Sequence, residues 1–92
     1  MITVHLTPDR IFVEGHAEKG GHFGLGICAI TSMLAQQCAC WTGDPVHRYN
    51  DADTDAALPD GEVGEFVCDF LFRLAAASPE NLTVIDLRKE SP

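Results

Sequence analysis

The opening residues leave the chain little choice. Ile2, Val4 and Leu6 alternate with Thr3, His5 and Thr7, the period-two pattern of a strand with one buried face. Pro8-Asp9 supplies a turn. Arg10 to Glu14 then reads as a second strand, so the chain begins as a hairpin. A helix cannot satisfy this period, because its apolar residues would point to opposite sides. The fold must therefore hold a sheet with one apolar face, and something must cover that face.

Two helical segments are available to cover it. From Ile27 to about Trp41, the residues Ile27, Ile30, Leu34, Cys38 and Trp41 step by three and four, which predicts a helix with that stripe buried. Cys28, Ser32, Ala35 and Ala39 form a second stripe of small residues, suited to close approach of a strand or another subunit. Thr42-Gly43-Asp44-Pro45 ends the helix. Asp60 is the expected N-cap of a second helix, Glu62 to about Ala77, with Val63, Phe66, Val67, Phe70, Leu71 and Leu74 as its apolar face. Pro79 blocks its continuation.

Between the helices, Val46 to Asn50 and Thr54 to Leu58 are strand candidates around an acidic turn, Asp51 to Asp55. Leu82 to Arg88, with Val84, Ile85 and Leu87, predicts a final strand, and Lys89 to Pro92 a frayed tail. Glu18 to Gly26 carries Gly20, Gly21, Gly24 and Gly26, which predicts a loop with the mobility of a flap over a site. The expected order is β-β-α-(β-β)-α-β: an α+β fold with a mostly antiparallel sheet and two helices. At 92 residues the chain is expected to form a single domain, residues 1–92.

The chemistry sits at the junction of hairpin and helix. His16 follows the second strand in Gly15-His16-Ala17, and Cys28 lies twelve positions later in Ile27-Cys28-Ala29. A thiol at a helix N-terminus beside an imidazole is activated by the dipole and by His⁺. The expected roles are Cys28 as nucleophile and His16 as base. Backbone N–H groups at the helix start, that of Cys28 included, are expected to form an oxyanion hole. The bland reading of the same residues is a small buried cysteine under a glycine-rich turn. His22 reads as a second base or substrate contact, or as a solvated loop residue. Ser32, one turn after Cys28, either hydrogen-bonds near the nucleophile or back-bonds to its own helix. No third group that would orient His16 is identifiable.

At these positions the chain resembles the ribosomal-processing cysteine protease family, Prp. That family carries G-H-A, a glycine-rich stretch and a D-I-V-C-A-A-V-S-A-L-like segment with the same His-to-Cys spacing. The matching residues are Gly15, His16, Ala17, Cys28, Ala29, Ser32 and Leu34. The family's Asp before the cysteine falls on Leu25, and its preceding Gly on Phe23. The resemblance implies the β-β-α-β-β-α-β arrangement, homodimers and a cytoplasmic cysteine endopeptidase. Its task would be specific processing of the N-terminal extension of a ribosomal protein or of phage capsid and scaffold proteins. Cys28 and His16 would be catalytic, and the loop with Gly20, Gly21 and His22, together with Ser32, would contact an extended peptide. The alternative is a catalytically inactive module of the same fold, used for binding or dimerisation.

Composition excludes other classes. Apolar residues make up 46% of the chain, as in folded proteins. The net charge of −8 repels phosphate backbones and argues against nucleic-acid binding. No apolar run approaches the ~20 residues of a membrane span, and the first residues lack the pattern of a secretory signal. The four cysteines accordingly read as reduced cytosolic thiols. Cys38-Ala39-Cys40 is too tightly spaced for a zinc knuckle, and Cys38 and Cys68 fall on apolar stripes where packing explains them. Asp51, Asp53, Asp55 and Glu62 have the spacing of an EF-hand loop, but Ala56 stands where the sharp turn wants glycine. A solvated acidic turn is the better reading there, and neither metal nor cofactor is expected.

Overall fold

The computed structural model describes residues 1–15, 21–48 and 53–88; of residues 21–25 and 48 it describes the backbone only. The elements are β1 (Ile2–Leu6), β2 (Arg10–Gly15), α1 (Gly21–Thr42), β3 (His47–Arg48), β4 (Thr54–Ala57), α2 (Gly61–Ala77) and β5 (Leu82–Asp86). This is the expected order. The strands form one sheet in the order β3-β4-β2-β1-β5. Three neighbouring pairs are antiparallel, and β1 with β5 is parallel. The long return through both helices brings β5 beside β1 in the parallel sense, which a tight turn cannot do.

One face of the sheet is covered by both helices. Ile2, Val4, Leu6, Ile11, Val13, Ala56 and Leu82 are buried in a single core cluster with Ile27, Ala35, Cys38 and Ala39 of α1 and with Val67, Cys68 and Leu71 of α2. Both helices therefore lie on the same face. On the other face the register supports cross-strand polar contacts. His5 Nε2 and Glu14 Oε1 are 2.7 Å apart, and the Arg10 guanidinium donates to Asp55 Oδ1 at 3.0 Å.

Two expectations about the helices need correction. The first is that Glu18 to Gly26 forms a loop. Within that stretch residues 21–26 are the first turns of α1, and residues 18–20 lie outside the described residues. Each glycine costs a helix interior about 1 kcal/mol relative to alanine. Once the following turns are held against the sheet, however, each further residue adds a backbone hydrogen bond without a new nucleation cost. At Gly26 a Cβ would meet no atom within 4 Å. Gly26→Ala is therefore expected to stabilise the protein by about 0.5–1 kcal/mol, read as a higher urea midpoint.

The second correction concerns which faces are buried. On α1 the buried residues are Ile27, Thr31, Ala35, Cys38 and Ala39, while Ile30 and Trp41 of the expected stripe are exposed. On α2, Gly64, Val67, Cys68 and Leu71 are buried, while Phe66 and Phe70 are exposed. Small side chains let a helix axis approach a sheet closely, so Ala35 and Ala39 turn inward and larger apolar groups turn out. Asp60 does precede α2 in extended backbone, but its side chain makes no capping hydrogen bond.

Cys38 and Cys68 are buried where the two helices meet the core. Burial pushes the Cys38 thiol up to about 11, and Cys68 adds to the shift. Burial likewise raises Cys68, with Arg88 opposing. Both folded values lie above the unfolded one. The stability they lend is therefore complete below about pH 9 and is lost as pH climbs through 11. The urea midpoint should fall across that window, with of order 2 kcal/mol lost, and Cys38→Ala should flatten the fall.

Candidate functional site

β2 ends in a residue that only glycine can supply. Gly15 has φ +89°, and a Cβ there would collide with the Met1 carbonyl oxygen of the adjoining chain. Its N–H donates to Asp53 Oδ1 at 3.2 Å. Val13 pairs with Thr54, which sets Asp53 across from the end of β2. A carboxylate thus holds the backbone immediately before His16. Sequence reasoning missed this residue because thirty-eight positions separate it from Gly15. The only signal was Asp53 in the acidic turn just before the strand candidate Thr54 to Leu58, and its partner becomes visible once β2 and β4 are paired.

His16 and Gly20 lie outside the described residues. Gly21 and His22 belong to the first turn of α1 by their backbone. Cys28 is the eighth residue of α1, about 10 Å along the axis from Gly21 at 1.5 Å per residue. This corrects two expectations. The dipole acts within the first turn, so the helix end is too far away to activate the thiol. The Cys28 N–H falls within the intrahelical ladder, since only the first four N–H groups lack helical partners, and so it is no free oxyanion donor.

Cys28 itself is half-buried and packs against the core cluster next to fully buried Ile27. The hydroxyl of Thr31 reaches the carbonyl oxygens of both Ile27 and Cys28 at 3.0 Å, back-bonding this turn of the helix. Ser32, also half-buried, lies one turn on along the same flank as Cys28. All four cysteines are free thiols: Cys38 and Cys68 are buried, Cys40 is exposed and Cys28 lies between these extremes.

Of the acidic segment, Asp51 and Ala52 lie outside the described residues. Asp55 lies in β4 and pairs with Arg10, and Glu62 lies in the first turn of α2. Among the described residues no group of three or more His, Cys, Asp or Glu is placed to hold a metal ion. No helix among them is long and apolar enough to cross a membrane.

No family model and no curated protein sequence matches the chain. Solved structures do. The chain is similar to SMU.848 from Streptococcus mutans with a TM-score of 0.74, at 19% identity, over 97% of this chain and 99% of that one. It is also similar to the essential ribosomal processing protease Prp from S. aureus, solved with a covalently linked product peptide. Here the TM-score is 0.60 at 16% identity, over 94% of this chain and 99% of Prp. The chain has the Prp fold. The likeness runs along nearly the whole of both chains.

Proposed function

We propose that the protein is a cysteine endopeptidase that processes a specific protein, with Cys28 as nucleophile and His16 as base. His16 takes the thiol proton, and Cys28 Sγ attacks the peptide carbonyl carbon. His16⁺ then returns the proton to the departing amine, and water releases the acyl group from sulfur. Asp53 acts as a positioning residue by holding the Gly15 N–H at the strand end that leads into His16. The substrate is a protein segment, either the N-terminal extension of a ribosomal protein or a phage capsid or scaffold protein. It is held against Ser32 and the stretch containing Gly20, Gly21 and His22. The cytoplasm and a homodimeric assembly belong to the same reading.

One observation carries the proposal. A partly accessible thiol stands at the family's cysteine position, in a fold shared with a protease solved with a covalently linked product peptide. The test is cleavage of a proteome-derived peptide library, read by mass spectrometry. Selective cleavage that disappears in Cys28→Ala and in His16→Ala supports the proposal, and cleavage that persists in Cys28→Ala overturns it.

A second reading, the inactive binding or dimerisation module, draws on the position of Cys28 two turns inside α1, away from the helix end. It expects Cys28 to be alkylated no faster than exposed Cys40.

A further inference from the structure

We propose that the trough between α1 and α2 is a docking site for a basic amphipathic helix of another protein. The trough exists because the two helices share the sheet without closing on each other. Helices in full contact have axes about 8–10 Å apart and Cα radii of about 2.3 Å, so facing Cα atoms come within about 8 Å. Among the described residues almost no pair between α1 and α2 comes that close. Side chains line the gap instead. Ile30, Met33, Leu34, Gln37, Phe66 and Phe70 border an open groove of about 290 Å³. A second hollow of about 120 Å³ shares Leu34 and Gln37 with it and runs on to Trp41. Met33 is 61%, Trp41 68% and Phe66 71% exposed. Contiguous apolar surface of this kind marks an association site.

Shape and charge select the occupant. On α1 the trough follows Ile30, Met33, Leu34, Gln37 and Trp41, a stripe that steps by three and four. At about 1.5 Å per residue the stripe is roughly 16 Å long, the length of about three helical turns. A helix with apolar residues at i, i+3, i+4 and i+7 presents a matching stripe. Met33 is a flexible, polarisable side chain that moulds to such an occupant. Charge then sets the sign of the partner. α1 contains no Asp, Glu, Lys or Arg. On α2, Glu62 and Asp69 stand four residues before and three after Phe66, and both are exposed. Arg73 pairs with Asp69 at 2.9 Å, but an exposed pair of this kind is weak and the rim stays net acidic. The chain's overall charge of −8 has the same sign. A partner with Lys or Arg flanking its apolar stripe therefore fits both groove and rim. A second copy brings the same acids and an anionic membrane brings more, so both fit worse. Cys28 and Ser32 lie on the opposite flank of α1, so the trough is separate from the proposed catalytic site.

Fluorescence anisotropy of a labelled model peptide tests this. The probe is a helix-forming peptide of about 14 residues, with leucine at i, i+3, i+4 and i+7 spacing and lysine elsewhere. The full chain is expected to bind it one to one with a Kd of roughly 10 μM at about 0.05 M salt, and more weakly at about 0.5 M. Met33→Ser and Phe66→Ser should each raise Kd by about 10-fold or more. Both side chains are exposed, so the circular dichroism spectrum should not change. Glu62→Lys should raise Kd by about threefold, and the same peptide with glutamate for lysine should bind at least about 10-fold more weakly. No binding up to about 200 μM, equal binding of the glutamate peptide, or a Kd that neither Met33→Ser nor Phe66→Ser moves overturns the proposal. Sedimentation equilibrium and phosphatidylcholine vesicles read the other occupants. Self-association or vesicle binding that Phe66→Ser abolishes, and that the lysine peptide does not displace, gives the face to a second copy or to lipid and likewise overturns the proposal.

Discussion

Cys28→Ala is expected to abolish peptide cleavage, lowering kcat/KM by roughly 10³-fold or more, while peptide Kd changes by less than about threefold. The reasoning is chemical. In the proposed mechanism the sulfur is the atom that forms the acyl-enzyme, whereas an extended peptide would be held mainly by backbone and neighbouring side chains. His16→Ala should reduce cleavage comparably, because the thiol then has no base and the leaving amine no acid. An independent readout avoids the need to know the substrate. Near neutral pH, Cys28 should be alkylated faster than Cys40, and His16→Ala should remove that advantage. Cys38 and Cys68 provide an internal baseline, since both are buried and burial raises both thiols. Equal rates at Cys28 and Cys40 would sink the catalytic assignment and favour the binding module.

Gly15→Ala is expected to destabilise the fold by about 3 kcal/mol or more, read from the urea midpoint, and to suppress Cys28 alkylation under conditions where the variant is still folded. Two costs add. A left-handed backbone costs an alanine roughly 1–2 kcal/mol. The new methyl would also collide with the Met1 carbonyl, a backbone atom that moves only if β1 moves. Such overpacking costs typically 1–3 kcal/mol. β1 lies between β2 and β5, so relief of the clash disturbs both of its ladders. The opposite sign expected for Gly26→Ala makes the pair diagnostic. The two glycines differ in φ and in free space, not in residue type. A near-neutral Gly15→Ala would show that the strand end is not held as described.

Much of the architecture was legible in the chain because periodicity reports burial directly. Ile2, Val4 and Leu6 are fully buried on alternate positions, as their spacing requires, and β5 and α2 fall within a residue or two of their expected bounds. The proposed catalytic pair, His16 and Cys28, rests on spacing and residue type, with His16 outside the described residues. Other features depended on non-local packing. The helical start of α1 was hidden because three glycines argue locally for a loop, while contacts further along the helix hold those turns in place. The inward face of α1 was legible only in part: the sequence marked Ile27 and Cys38 as buried and Ala35 and Ala39 as suited to close approach of a strand, but hydrophobicity also favoured Ile30 and Trp41, which are exposed, and Thr31, which is buried, gave no signal. The partnership of Asp53 with Gly15 had no local trace, since it exists only when β4 lies against β2. Local pattern and residue chemistry thus determined the elements, their order and the candidate nucleophile. Tertiary structure alone decided how far Cys28 lies from its helix end, which carboxylate meets the β2 terminus and which apolar side chains stay outside. Each of these depends on distances between segments far apart in the chain.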